Sequence, residues 1–425
     1  MNILFFLAIV SIFKSKENNY IELNIDCQTG NICFIPVYFG SNHEPFKIQL
    51  DTTTSYTWIP STNFDLDVPK YNILESNYGK RTNKTIEIED EDGVIYGKLS
   101  FDSINIDNIN INRFNFILAN GHDPFFKDYP KGKLGLGYDS DDKYNLNFIH
   151  QLKEQKLIEK ELFIIDKFSK KLIIGKIPDY LEDVPKTTCS LYNSNDLDEK
   201  NKQSWGCELY KIFCGIYESN LVTISFNEEG QLILTEENSI DYDISKDAYE
   251  PAIFDITYPY IKFPKKYLNY IKGNLIIKYL EGLCEENKDR DSIFFICDKK
   301  NIFEGKSYLS LFINKRMFFF YSSDLFKPLE DEKFELLIRF PRNREDNAFK
   351  IGAPFLNKWI IAYDYEEKEI IFYGENFIDL SCRYFKFKFW KIFWKIIYIS
   401  FILLISFLAI VGMYLCCNSI FERRK

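Results

Sequence analysis

Residues 46–61, FKIQLDTTTSYTWIPS, and residues 251–264, PAIFDITYPYIKFP, are two versions of one segment. Each runs from an apolar stretch of strand character into an Asp, Asp51 or Asp255, then through a turn rich in Thr or Ile-Thr, and ends in a second apolar stretch closed by Pro60 or Pro264. An isolated Asp in a turn ordinarily caps it. Two of them at matching positions in two matching halves instead predict carboxyls that meet face to face across a pseudo-twofold, an arrangement suited to acid–base hydrolysis.

Working outward, the composition fits such a two-part body. A chain of 425 residues that is 46% hydrophobic can fill two packed cores. With 40 Phe and 28 Tyr, its aromatic and β-branched content favours strands over helices, and we expect mainly β structure. A net charge of −9, with no Lys/Arg-rich stretch in the globular part, gives no electrostatic basis for a nucleic-acid partner. His43, His122 and His150 are scattered and no Cys pair has zinc-ligand spacing with a His, so neither a metal nor a cofactor is expected.

From Tyr20 to about Ile177 the pattern is strands broken by turn residues, with one helix expected over residues 145–157, NLNFIHQLKEQKL. A second strand-rich half follows from about Thr187 to Tyr373, with helix-like residues after Pro264. Two further segments align the halves with a known pattern. GKLGLGY, residues 132–138, is similar to an I-L-G-L segment, and FKIGAPFLNKWIIAYDYEEKEIIFYG, residues 349–374, to a G-x-x-F-L…Y-D-x-x-x-x-x-I-G-F stretch. With the two Asp turns, these make residues 30–375 resemble the pepsin-like aspartic proteases, peptidase family A1.

That resemblance implies a bilobal, mainly antiparallel β fold with pseudo-twofold lobes, in which Asp51 and Asp255 share a proton and activate a water. It also implies that Gly135 and Gly352 let a partner segment pass close beside each Asp turn. The family's turns read Asp-Thr-Gly, and here both Gly positions hold Thr, Thr53 and Thr257. If those turns need a Gly-like backbone, both are strained. Thr52 keeps the hydroxyl that the family passes across the pair, whereas Ile256 has none. Thr54 is expected on the outer oxygen of Asp51, and Tyr258-Pro259 replace the small hydroxyl residues of the second turn. Residues 85–101, TIEIEDEDGVIYGKLSF, are the expected flap over a substrate cleft, with Asp92-Gly93 as its hairpin turn and Asp90 where the family packs a Tyr on substrate. Trp58 is expected to support that flap, and Trp58, Asp90, Gly93 and Tyr258 to contact peptide. The acidic tip, Glu89 to Asp92, would favour a basic peptide.

The remaining expectations concern the ends and the cysteines. Residues 1–15 read as a signal peptide, 16–183 and 184–380 as the two β lobes, and 381–395 as a basic-aromatic stem suited to anionic headgroups. The uncharged run 396–417 is long enough to span a bilayer, leaving 418–425 as a cytosolic tail and giving a type I membrane protein of the secretory pathway or cell surface. Little chain separates the signal from the first strand, so no basic inhibitory prosegment of the kind many family members carry is expected. Cys416 and Cys417 sit where palmitoylation is plausible chemistry. Cys27 with Cys33 and Cys284 with Cys297 are the expected disulfides, the partners of Cys189, Cys207, Cys214 and Cys382 being open. Asn83 lies in a glycosylation sequon. Two functions fit these residues: a membrane-anchored aspartic endopeptidase, or a pseudoprotease that holds a peptide or partner protein in the same cleft without cutting it.

Overall fold

Alternating apolar and polar residues put most of the chain into strands, and these gather into three large sheets. The computed structural model describes residues 20–379 apart from 28–31, 42–43, 91–92, 108, 124–131, 140–141, 193–203, 218–222, 227–231, 236–240, 244–249, 278–279, 281–283, 299–306, 315, 343–347 and 375–376. The proposed signal peptide, stem, membrane span and tail lie outside the described residues. Among the described residues no helix is long and apolar enough to cross a membrane.

In the first half the strand ending in the first Asp, Phe46–Asp51, runs parallel to Lys133–Gly135, with Gln49, Leu50 and Asp51 opposite Lys133, Leu134 and Gly135. The strand that follows the turn, Trp58–Pro60, flanks the other side of Lys133–Gly135, Trp58 facing Lys133 in antiparallel register. The second half repeats this plan. Glu250–Phe254 runs parallel to Phe349–Ile351, with Ile253 opposite Lys350, and Ile261–Lys262 lies antiparallel on the far side. Each Asp therefore sits at the end of a central strand buried between two others.

The third sheet joins the halves. Its order is Ile21–Asn24, Lys171–Ile174, Leu162–Asp166, Ile360–Asp364, Glu369–Tyr373, Lys186–Ser190, three strands from each half meeting where Leu162 pairs with Asp364. Both of its faces are covered, which explains why Leu162–Asp166 reads as a continuous apolar run rather than an alternating one. Phe163 and Ile165 face the main core, while Leu162 and Ile164 join Ala362, Ile371 and Tyr373 in a separate cluster.

The first-half helix is shorter than its apolar pattern suggests. It spans Phe148–Glu154, because Asn147 caps it, its side chain accepting from the N–H groups of Ile149 and His150. The helical stretch after Pro264 is present as a 3-10 turn, Lys265–Tyr267, a short helix, Leu268–Ile271, and a wider π turn, Lys272–Ile277. Disulfides close Cys27–Cys33 and Cys284–Cys297 as expected, and a third joins Cys189 to Cys207. Cys214 is a free, buried thiol, pushed up by desolvation, and Cys382 lies outside the described residues.

The halves are assembled on two glycines. A Cβ at Gly135 would lie 2.4 Å from the backbone carbonyl of Ser55, and one at Gly352 would lie 2.1 Å from the carbonyl oxygen of Tyr258. These contacts are with backbone that cannot swing away, so Gly352→Ala should cost about 3 kcal/mol or more in denaturant unfolding. Gly273→Ala is the control. Its Cβ would meet open space, and helix propensity gives it a neutral or slightly stabilising effect.

Candidate active site

The two Asp turns meet at Thr52. Its hydroxyl donates to the carbonyl oxygen of Phe254 at 2.8 Å and accepts from the N–H of Ile256 at 3.3 Å, so it grips the backbone on both sides of Asp255. The reciprocal clasp from the second turn cannot form, because Ile256 carries only a buried hydrocarbon side chain. Other bonds hold the halves together beneath the turns. Trp205 Nε1–H and the Tyr365 hydroxyl both donate to the carbonyl oxygen of Leu136 at 2.7 Å, and the Ser204 hydroxyl donates to that of Thr53 at 3.3 Å. Tyr365 also packs edge-on against Trp205 and near-parallel to Tyr138.

Each Asp is fixed by the residue two places on. The Thr53 N–H and hydroxyl donate to Asp51 Oδ1 at 2.8 and 2.7 Å, and the Thr257 N–H and hydroxyl donate to Asp255 Oδ1 at 2.8 and 2.6 Å. The strain expected at these Thr residues is absent: neither has positive φ. The third position of each turn therefore needs no left-handed backbone, and the Thr side chain adds a second bond to its own carboxylate.

The outer oxygen of Asp51 corrects another expectation. Lys133 Nζ, rather than the Thr54 hydroxyl, lies 2.9 Å from Asp51 Oδ2, in an ion pair whose side chains are 4% and 0% exposed. Thr54 Oγ1 instead accepts from the N–H of Tyr56 at 3.2 Å. Lys133 occupies the first position of the Lys-Leu-Gly segment beside the first Asp, and Lys350 holds the same position in Lys-Ile-Gly beside the second, 1% exposed. Sequence reasoning passed over both. The signal was present as a charged residue at an apolar position of each segment, in the same register in both halves.

Electrostatics divide the two carboxyls. Burial alone would raise Asp51, but the charge of Lys133 and the bonds from Thr53 hold it below its ordinary 3.8. Asp255 is pushed up to about 6, first by burial and then by the negative charge of Asp51, against the Thr257 bonds and the more distant charge of Lys133. The site thus holds one ionised and one protonated carboxyl across mildly acidic pH, and they titrate as a pair.

The remaining expected residues lie around this centre. Trp58 is fully buried in a cluster with Ile86, Ile88 and Ile95 of the flap strands, which ties it to that hairpin. The hairpin itself is shifted by one residue: Asp90 pairs with Gly93, so residues 91–92 rather than Asp92-Gly93 make the connection. The cause is backbone preference, since Gly93 at φ 133° closes the ladder where a side chain is strained. Residues 91–92 and the Asp90 side chain lie outside the described residues, and Glu89 is exposed. Tyr258 is half-buried with its ring edge-on to Tyr260, and its carbonyl accepts from the N–H of Ala353 at 2.8 Å. Asn83 is exposed on the outer flap strand. Among the described residues no group of three or more His, Cys, Asp or Glu side chains is placed to hold a metal ion.

Comparison with known proteins finds relatives of part of the chain. Residues 33–178 match the family model of the eukaryotic aspartyl protease. Over that segment, which holds the first Asp turn, the chain is similar to the pepsin-like aspartyl proteases. It is similar to vacuolar protease A of Neurospora crassa, 30% identical over 140 residues that cover 31% of this chain and 35% of that protein. It is also similar to procardosin-B of Cynara cardunculus, 30% identical over 106 residues, 23% of this chain and 21% of that protein. The chain thus spans about a third or less of the length of these curated relatives.

The Thr52 clasp has a direct test. Thr52→Val keeps the volume but strands the Phe254 carbonyl and the Ile256 N–H, so unfolding free energy should fall by about 2–3 kcal/mol. Thr54→Val, which loses only a bond from a neighbouring N–H, should cost clearly less in the same measurement.

Proposed function

We propose that this chain is a membrane-anchored aspartic endopeptidase that hydrolyses peptide bonds in acid. The observation that carries this reading is the divided pair, Asp51 held ionised while Asp255 keeps its proton up to about 6. General acid–base hydrolysis needs one group of each kind on either side of the reacting atoms. In the proposed reaction Asp51 accepts a proton from a bound water as its oxygen bonds to the scissile carbonyl carbon, and Asp255 gives its proton to the carbonyl oxygen. The tetrahedral product then collapses: the C–N bond breaks, the amine nitrogen takes the proton held by Asp51, and a hydroxyl proton returns to Asp255. Thr52, Thr53, Thr54, Ile256 and Thr257 form the two turns, and Trp58, Asp90, Gly93 and Tyr258 are the proposed peptide contacts.

The proposed lobes are residues 16–183 and 184–380. The apolar run at residues 1–13 and the uncharged run 396–417 support a type I topology with the body in the lumen or outside the cell, and three disulfides fit an oxidising compartment. A second reading, peptide or partner binding without cleavage, is favoured by one observation, the Lys133 ammonium on Asp51. A carboxylate so paired is a weaker base toward water.

Incubation with denatured protein at acidic pH separates the two. The endopeptidase gives cleavage that a statine-type inhibitor blocks and that Asp51→Asn abolishes; intact substrate that the inhibitor displaces from the cleft establishes the binding reading instead. If cleavage occurs, its rate should decline as pH rises through about 6, where Asp255 loses the proton it must donate. The acidic limb should fall below pH 3.8, where Asp51 is finally protonated.

A further inference from the structure

Lys133 lies against the first Asp of the pair, and the hydrolytic scheme does not use it. It is 3% exposed, projects from the strand alongside Asp51, and is held two places before Gly135, where the backbone has no freedom to withdraw it. Its ammonium meets Asp51 Oδ2 at 2.9 Å, while Oδ1 is already filled by the N–H and hydroxyl of Thr53. Asp51 Oδ1 thus takes two hydrogen bonds and Oδ2 an ion pair, all from its own half. Asp255 has the Thr257 pair on Oδ1 and lies farther from the lysine.

We infer that Lys133 is a resident counter-ion of the pair, a positioning residue that assigns the shared proton to Asp255 and restrains Asp51 as a base. An ammonium this deeply buried is stable only while its partner stays ionised, so the ion pair and the site of the proton are one choice. With Lys133 charged, Asp51 ionised and Asp255 protonated, the centre is electrically neutral, whereas two carboxyls sharing one proton alone would carry a buried negative charge. When Asp51 takes a proton from water and Asp255 gives one to the carbonyl oxygen, the three groups stay neutral together, but the negative charge leaves the close Lys133–Asp51 ion pair for Asp255, farther from the ammonium. The lysine thereby lowers the driving force of the first proton transfer.

Other ionisable groups face this centre. Half-buried Tyr258 and buried Tyr363 sense the charge of Asp255, both staying protonated, and Arg339 acts on Tyr258. Lys350 is buried on the equivalent strand opposite Ile253. The lowered titration of Asp51 and the raised one of Asp255 agree with the assignment.

The inference rests on the acid–base reading only for its effect on rate, and the test separates the two. In the full chain carrying carbon-13-labelled Asp, infrared titration of the carboxyl bands, assigned with Asp51→Asn and Asp255→Asn, should show Asp255 protonated and Asp51 ionised at pH 5. A proton on Asp51 at that pH overturns the proposal, and this measurement needs neither turnover nor a lysine variant. In Lys133→Met, of similar length but without charge, both carboxyl titrations should move upward, and in a chain that cleaves, kcat should rise several-fold with the basic limb shifted the same way. Lys133→Arg should restore the wild-type titrations. Unmoved titrations in a folded Lys133→Met protein overturn the assignment even if peptide is cleaved; shifted titrations without any cleavage uphold it while the hydrolase reading falls.

Discussion

Everything at the centre depends on two backbones passing closer than any side chain permits. Gly135 and Gly352 allow a strand to run beside each Asp strand, and the N–H of Leu136 then bonds the carbonyl of Asp51 at 2.8 Å while the N–H of Asp255 bonds the carbonyl of Ile351 at 3.1 Å. Gly137 and Ala353 continue the stitching to Thr54 and Tyr258, each at 2.8 Å. The turns are thereby held from outside, by neighbouring strands, rather than by their own backbone conformation. This is why a branched Thr is tolerated at both third positions: the requirement for glycine sits in the passing strands, and the turns themselves stay in ordinary φ.

The same passing strands deliver charge. A lysine in the position facing Gln49 is buried, with its ammonium in an ion pair with Asp51. Desolvating both ions is costly, and their close attraction at 2.9 Å is what offsets it. The pair makes the two halves electrostatically unequal although their backbones repeat. The hydrogen-bond pattern is unequal in the same sense, since Thr52 clasps the second turn and Ile256 returns nothing.

Much of this was legible in the sequence because it rests on short-range pattern. The Asp turns, the strand-rich halves and two of the disulfides follow from spacing and residue type, and the glycine segments from the resemblance to the pepsin-like proteases. What escaped has physical reasons. The Cys189–Cys207 bridge depends on how the joining sheet meets the second half, which no local spacing encodes. The hairpin slipped by one residue because Asp-Gly is a turn signal whose exact frame is set by cross-strand pairing, here Asp90 with Gly93. Lys133 and Lys350 were hidden because a charged residue inside an apolar segment is ordinarily read as surface. Burial of a charge is a property of three-dimensional neighbours, and it shows only when the register of both halves is known.

The third disulfide has a consequence for the integrity of the chain. Cys189 lies on a strand of the joining sheet and Cys207 on a strand of the second half, and residues 193–203 run between them. A peptide bond cut anywhere in that interval leaves two polypeptides that remain covalently linked. Such a nicked protein would migrate as one species until reduced, so single-chain and two-chain forms of this molecule become distinguishable only in the presence of a thiol.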